Sequence, residues 1–220
     1  MRKEKQMRQE LLDAVAEAIL NADINMVTNA VRAAMANGLN RREILTEGIM
    51  PGLNRLGAGY QDGTYYVADM INSSIAVKKA FSLMKEAKTP NAKKRIGRVL
   101  IGTVEGDLHD IGKNLVIMML RSYDFDVVDL GVDVSGEMFL EALHRYPDTK
   151  IIALSALLTT TLPTMRADVK MLQNAFPRRD FQIMVGGAPV TKSFADAIGA
   201  DIYTSNAVEA AEAAAKVMPR

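Results

Sequence analysis

The chain has 220 residues, enough for one large domain or two small ones, and 49% of them are hydrophobic, which supports a sizeable core. A formal net charge of +1 removes any broad electrostatic case for a nucleic-acid partner, and no stretch of about 18 uncharged apolar residues is present to cross a membrane. Cysteine is absent, which excludes disulfides, thiolate metal sites and iron–sulfur clusters. The first residues lead into an amphipathic helix and not into a signal-peptide core, so a cytoplasmic protein is the simplest reading.

Residues 3–87 read as helices. Leu11, Leu12, Val15, Ile19 and Leu20 recur at three- and four-residue spacing with Glu10, Asp13 and Glu17 between them, the pattern of an amphipathic helix. A second helix is predicted from about 24 to 37, stopped by Gly38. Asn40 with Glu43 three residues on forms a capping-box pattern that starts a third, and Pro51 inside it predicts a kink or break. Gly57 and Gly59 end that helix near Tyr60, Asp62-Gly63 marks a turn, and a fourth helix spans about 65–87. Four helices on short connections make an N-terminal four-helix bundle. Residues 88–97 are polar and basic and contain Pro90, so they read as a solvated linker dividing a helical domain, 1–90, from a second domain, 91–220.

From Arg98 onward strand and helix patterns alternate five times. Strands are predicted at about 98–104, 126–132, 151–157, 182–187 and 201–204, and helices at about 110–122, 135–146, 162–176, 191–198 and 207–218. The strands are short continuous apolar runs, as expected of a sheet buried on both faces. This alternation implies right-handed crossovers and an α/β Rossmann-like, doubly wound, five-stranded parallel sheet.

The loop after the first of these strands carries Asp107, His109, Asp110 and Gly112, at the carboxyl edge where open α/β sheets place ligands. A carboxylate two residues from an imidazole can accept the proton of one ring nitrogen and leave the other as a lone-pair donor. That fixes the tautomer and raises the basicity of a metal ligand. Gly112 lets the backbone pass close to a bulky partner. Asp-x-His-x-x-Gly is a short motif, and a histidine that merely bonds within its own loop has the same letters. A phosphate loop does not fit, because Gly106 and Gly112 enclose five residues and Asn114 stands where a magnesium-binding hydroxyl is needed. A hydrolytic metal site built from Asp107, His109 and Asp110 stays open, although the one other histidine, His144, sits in a polar helical segment and reads as solvated surface.

Further on, Ser155-Ala156-Leu157 leaves the third strand at the same edge, and the hydroxyls through Thr161 either line a groove or cap the helix whose start Pro163 marks. Gly186-Gly187-Ala188 ends the fourth strand with almost no side-chain volume, which suits a tight turn or a slot. In this order and spacing the three motifs resemble the signature of cobalamin-binding domains, as in the corrinoid proteins of methyltransferase systems and in cobalamin-dependent methionine synthase. The resemblance extends upstream over nearly the whole chain.

The resemblance implies cobalamin, as methylcobalamin or a related corrinoid, with its dimethylbenzimidazole tail displaced from cobalt. His109 would be the lower cobalt ligand, Asp107 its polarising partner, and Thr161 the hydroxyl of a His–Asp–hydroxyl relay in which methionine synthase has a serine. Asp110, Gly112, Ser155, Leu157, Thr159, Gly186, Gly187 and Ala188 would frame the cofactor and its tail, with Tyr203 and Asn206 on the wall of the slot. Leu56 to Tyr60, with Tyr65, Tyr66, Val67 and Met70, resemble the helical cap of methionine synthase, so that Tyr60, Val67 and Met70 would touch the methyl-bearing face; by spacing alone they read as core. The implied function is a methyl shuttle between a substrate:corrinoid methyltransferase and a methylcorrinoid:acceptor methyltransferase, with a reductive activation protein as a further partner. It is a component of a multi-protein system more than a stand-alone enzyme, with no nucleic-acid or membrane partner. A cobalamin-responsive sensor is the alternative, though nothing resembles an appended DNA-binding helix-turn-helix; a mutase subunit fits the cap less well, and a non-corrinoid α/β binding module would use the same sheet edge. The motifs do not distinguish methanol, methylamines, glycine betaine or aryl methyl ethers as methyl donor, nor tetrahydrofolate from coenzyme M as acceptor.

Overall fold

The computed structural model describes residues 2–86, 95–177 and 180–218, arranged as two units, Met1–Asn91 and Ala92–Arg220. Of the linker expected at 88–97, residues 88–94 lie outside the described residues.

In the helical unit, α1 (Arg2–Leu20) buries Leu12, Val15, Ala16 and Ile19, and α2 (Ile24–Ala36) buries Val27, Val31 and Ala34. Both sets follow the one-face spacing of an amphipathic helix. Asp23 caps α2 by accepting from the amides of Asn25 and Met26. The capping box at α3 (Arg41–Glu43) is present in both directions, between the Asn40 side chain and the Glu43 amide and between the Glu43 carboxylate and the Asn40 amide. The helix then continues as a π-helical stretch, Ile44–Ile49, into α4 (Met50–Gln61). Pro51 therefore neither breaks the run nor ends it. The wider π turn lies just before the proline, where a tight turn would press its ring on the carbonyl one turn back. Gly48 and Gly52 let this run approach α1 closely, since a Cβ at Gly52 would sit 2.8 Å from the Ala16 carbonyl oxygen. The last helix of the unit, α5 (Val67–Glu86), is fixed to α1 by the buried Ser73 hydroxyl, which donates to the Ile19 carbonyl at 2.9 Å.

The second unit is a parallel sheet of β1 (Arg98–Val104), β2 (Asp126–Val134), β3 (Thr149–Ser155), β4 (Gln182–Gly186) and β5 (Ile202–Tyr203), in the order β2-β1-β3-β4-β5. The connecting helices are α6 (Ile111–Ser122), α7 (Gly136–Arg145), α8 (Leu162–Ala175) and α9 (Lys192–Ile198), and α10 (Ala207–Lys216) follows β5. Leu100, Ile152, Leu154 and Val185 pack from the strands against Phe139, Val169 and Leu172 from the helices, and β1 is buried from Val99 onward. Strands covered on both faces have no solvated side, which is why their sequences are continuous apolar runs. The strand order reverses between β1 and β3, and ligands of such sheets bind outside the carboxyl ends of the strands at that switch point. Two strand ends differ from expectation in a way that matters there: β2 continues to Val134, and β3 stops at Ser155, leaving 156–158 to the loop.

One polar group in this core is unusual. Asp168 of α8 is 4% exposed, and its Oδ2 has no hydrogen-bond partner among the described residues. Burial, reinforced by the nearby Glu105 and Glu137 carboxylates, pushes its carboxyl up to about 7. Between the ordinary carboxylate value and about 7 the folded chain holds a proton that the unfolded chain has lost. Stability therefore falls as pH rises through that window, by on the order of 4 kcal/mol. Asp168→Asn, which keeps the shape without the charge, is expected to raise the urea midpoint markedly at pH 8 and little at pH 4. An equal shift at both values would show that ionisation of Asp168 does not oppose folding.

Candidate functional site

Asp107 and His109 sit on the loop between β1 and α6, at the switch point. The Asp107 side chain is fully buried, while that of His109 is 52% exposed. Asp107 Oδ1 lies 2.7 Å from His109 Nδ1 and also accepts from the His109 amide at 3.0 Å. Its Oδ2 accepts from the amides of Leu157 at 2.6 Å and Leu158 at 3.3 Å, on the loop after β3. Burial pushes this carboxyl up, but the Leu157 amide, the His109 amide and the imidazole together outweigh it and hold the group below its ordinary value. An ionised carboxylate only accepts, so Nδ1 carries the proton of the neutral ring and Nε2 is left with a lone pair. Nε2 has no hydrogen-bond partner among the described residues.

The loop is also held from the strand beneath it, since the buried Thr103 hydroxyl donates to the His109 carbonyl at 2.9 Å. Thr161 is placed differently from the expected relay. Its hydroxyl donates to the Leu158 carbonyl at 2.9 Å, and its methyl faces Gly106, so it braces the loop after β3 without bonding Asp107. Backbone amides take the role expected of that hydroxyl.

Of the remaining expected residues, Asp110 stands at the N-cap position of α6, and Gly112 lies in that helix's first turn, where an added Cβ would meet nothing within 4 Å. Leu157 is exposed, as are Leu108 and Leu158, and the amides of Leu157 and Leu158 are the ones that bond Asp107. Ser155 ends β3, paired with Thr103 on one side and Gly186 on the other, and Thr159 opens a short 3₁₀ turn, Thr159–Thr161, in an exposed position. Gly187, at φ +129°, is required by the backbone itself, because a Cβ there would lie 1.8 Å from the Ala156 carbonyl oxygen. Ala188 follows in an exposed position. Tyr203, on β5, is half-buried against the core, and the Asn206 side chain caps α10 by accepting from the Glu209 amide. Tyr60, Val67 and Met70, in the helical unit, are 47%, 59% and 38% exposed. Their spacing suited a core role, but they are surface residues, and Ile71 and Ile75 continue the same exposed side of α5.

Thr103 and the two leucine amides were not anticipated. A lone threonine in an otherwise apolar buried strand is a readable signal for the first; the amides carry no side-chain signal at all.

The residues fit a transition metal held from one side. They offer one imidazole with its other ring nitrogen already bonded, and an open space over Gly112. No cluster of three or more His, Cys, Asp or Glu suited to an all-protein metal site occurs among the described residues. No described helix is long and apolar enough to cross a membrane.

A braced histidine at the switch point of a parallel sheet, in a chain that also carries a helical unit, is the arrangement of a cobalamin-binding α/β protein. Residues 97–215 match the family described as B12 binding domain, and residues 11–85 match a second family of the same description. The chain belongs to the B12-binding corrinoid proteins. Dimethylamine corrinoid protein 3 of Methanosarcina acetivorans is 36% identical over 208 residues, covering 94% of this chain and 97% of its own length. The structure of the Methanosarcina barkeri monomethylamine corrinoid protein matches with a TM-score of 0.84 at 32% identity, covering 96% and 99% of the two chains. The methanol:cobalamin methyltransferase complex of the same organism matches with a TM-score of 0.52 at 27% identity, covering 94% and 79%.

Two glycines in the site should respond oppositely to alanine. Gly187→Ala is expected to cost at least about 2 kcal/mol, since backbone must move and φ is strained. Gly112→Ala should raise the stability of the cofactor-free protein by up to about 1 kcal/mol through helix propensity. Thermal melts of both variants check the pair, and an intact Gly187→Ala would show that the contact with Ala156 relaxes freely.

Proposed function

We propose that this protein is a corrinoid methyl carrier that holds cobalamin with its tail displaced from cobalt and His109 Nε2 in its place. The observation that carries the reading is the Asp107–His109 pair, with Nδ1 bonded at 2.7 Å and Nε2 without a partner among the described residues. Bound cobalamin would supply a cobalt centre able to take up and release a methyl group. The protein's part is to present a neutral imidazole: Asp107, held ionised, keeps the ring proton on Nδ1 and the lone pair on Nε2 aimed outward. A proton on Nε2 would compete for that same lone pair. Gly112, Ser155, Leu157, Thr159, Gly186, Gly187, Ala188 and Tyr203 frame the sheet edge for the corrin and its tail. Tyr60, Val67 and Met70 are an exposed apolar surface suited to shielding the methyl-bearing face from water. The similarity to dimethylamine and monomethylamine corrinoid proteins favours a methylamine as the methyl source. A substrate-specific methyltransferase would load the carrier, a second methyltransferase would unload it, and a reductive activation protein would restore the reduced state.

The test is electron paramagnetic resonance of the Co(II) form after labelling histidine with nitrogen-15. Coupling to the labelled nucleus is expected in the wild type and should be lost in His109→Ala; coupling from the unlabelled dimethylbenzimidazole instead would overturn the reading. In the same spectra Asp107→Asn should weaken the histidine coupling, because the amide no longer fixes the tautomer. Thr161→Val removes one neutral hydrogen bond, costing about 1 kcal/mol of stability, and should leave the coupling unchanged. A changed coupling in Thr161→Val would show that its hydroxyl does reach Asp107 once the cofactor is bound.

A further inference from the structure

The end of β2 departs from a regular strand in a way that the ligand role of His109 alone does not explain. The β1–β2 register shifts twice, between Ile101 and Gly102 and again between Gly102 and Val104, so β2 carries extra residues opposite the end of β1. Gly131 and Asp133 both have positive φ, at 95° and 55°. Bulges next to functional sites re-aim side chains, and a non-glycine residue in the left-handed region persists only where its surroundings hold it there. Asp133 is held, and it holds in return. Its Oδ1 accepts from the Gly106 amide at 2.7 Å, and its own amide donates to the Asp107 carbonyl at 3.1 Å. These two bonds grip the backbone on both sides of the Asp107 Cα.

We propose that Asp133 is a positioning residue for His109, its side chain and amide clamping Gly106–Asp107 so that the buried carboxylate stays in register with the imidazole. The proposal rests on the reading of His109 as cobalt ligand for its functional meaning, but its geometry belongs to the protein without cofactor. Asp107 must meet four donors at once, from His109, Leu157 and Leu158. The amides of Leu157 and Leu158 are fixed by the end of β3, so a shift of the Asp107 Cα loses either those amides or the imidazole. Asp133 prevents that shift from the opposite side, through β2.

Three substitutions separate the ways in which Asp133 could act. Asn keeps the acceptor and tolerates positive φ, Gly tolerates positive φ without an acceptor, and Ala has neither advantage. In a His144→Gln background, which leaves one imidazole, nitrogen-15 shifts of the cofactor-free protein above neutral pH report the His109 tautomer. Wild type and Asp133→Asn are expected to show the Nδ1-protonated form. Asp133→Gly and Asp133→Ala should lower the ratio of that tautomer to the other by about fivefold, the effect of one lost hydrogen bond. Thermal melts of the same variants show whether each is folded, and the glycine variant is the one expected to remain so. A wild-type tautomer in Asp133→Gly would overturn the proposal, with backbone strain the only function of the residue. Loss of the tautomer in Asp133→Asn as well would also overturn it, pointing to the charge and not the hydrogen bond. Co(II) resonance of the loaded variants keeps the two readings apart: a dimethylbenzimidazole coupling already in the wild type removes the ligand assignment while leaving the tautomer result standing. An unaltered histidine coupling in Asp133→Gly removes the positioning role while leaving the ligand assignment intact.

Discussion

A fully buried carboxylate is the constraint on which the site depends. Taking Asp107 out of water costs several kcal/mol unless its lone pairs are satisfied. Here they are satisfied by three backbone amides and an imidazole drawn from two loops that flank the switch point. The same bonds therefore join the β1–α6 loop to the β3–α8 loop, ionise the acid and fix the ring. None of these can be altered separately. Thr103 from below and the end of β2 from the side complete the enclosure.

Asp168 in the same unit shows what happens without donors. Both acids are buried, yet the carboxyl of Asp107 is held low and that of Asp168 is raised to about 7. Burial pushes both up, but at Asp107 the amides and the imidazole outweigh it, whereas one oxygen of Asp168 is bonded to nothing among the described residues and its charged neighbours are acidic. A buried acid is thus a fixed anion in one place and, in the other, a group that stays protonated up to about pH 7. Lys113 illustrates the third outcome, a nearly buried cation neutralised by Asp129 at 2.6 Å.

The helical unit answers to a different constraint. Its helices are brought close by Gly48 and Gly52 against α1, and its interior is closed by Ile44, Leu45, Ile49, Leu56 and Met84. Tyr60, Val67, Met70, Ile71 and Ile75 lie outside that core and are exposed.

What the sequence by itself determined was whatever depends on local pattern. Continuous apolar runs alternating with amphipathic stretches define a parallel sheet between helices, the Asn40–Glu43 box starts a helix, and Asp107, His109 and Gly112 share one loop. Tertiary structure decided the rest, because the deciding partners are distant or have no side chain. The amides of Leu157 and Leu158 lie about 50 residues from Asp107 and would be present whatever residues stood there. That is why a hydroxyl at Thr161 was the legible candidate and backbone was the actual partner. Gly187 looked like a turn or a slot, and only the approach of Ala156 shows that a side chain has no room. Pro51 was legible as a disturbance, but whether it broke the helix or widened a turn depended on packing against α1. Spacing placed Tyr60, Val67 and Met70 on helices; which side of a helix faces water is set by the neighbours that cover the other side.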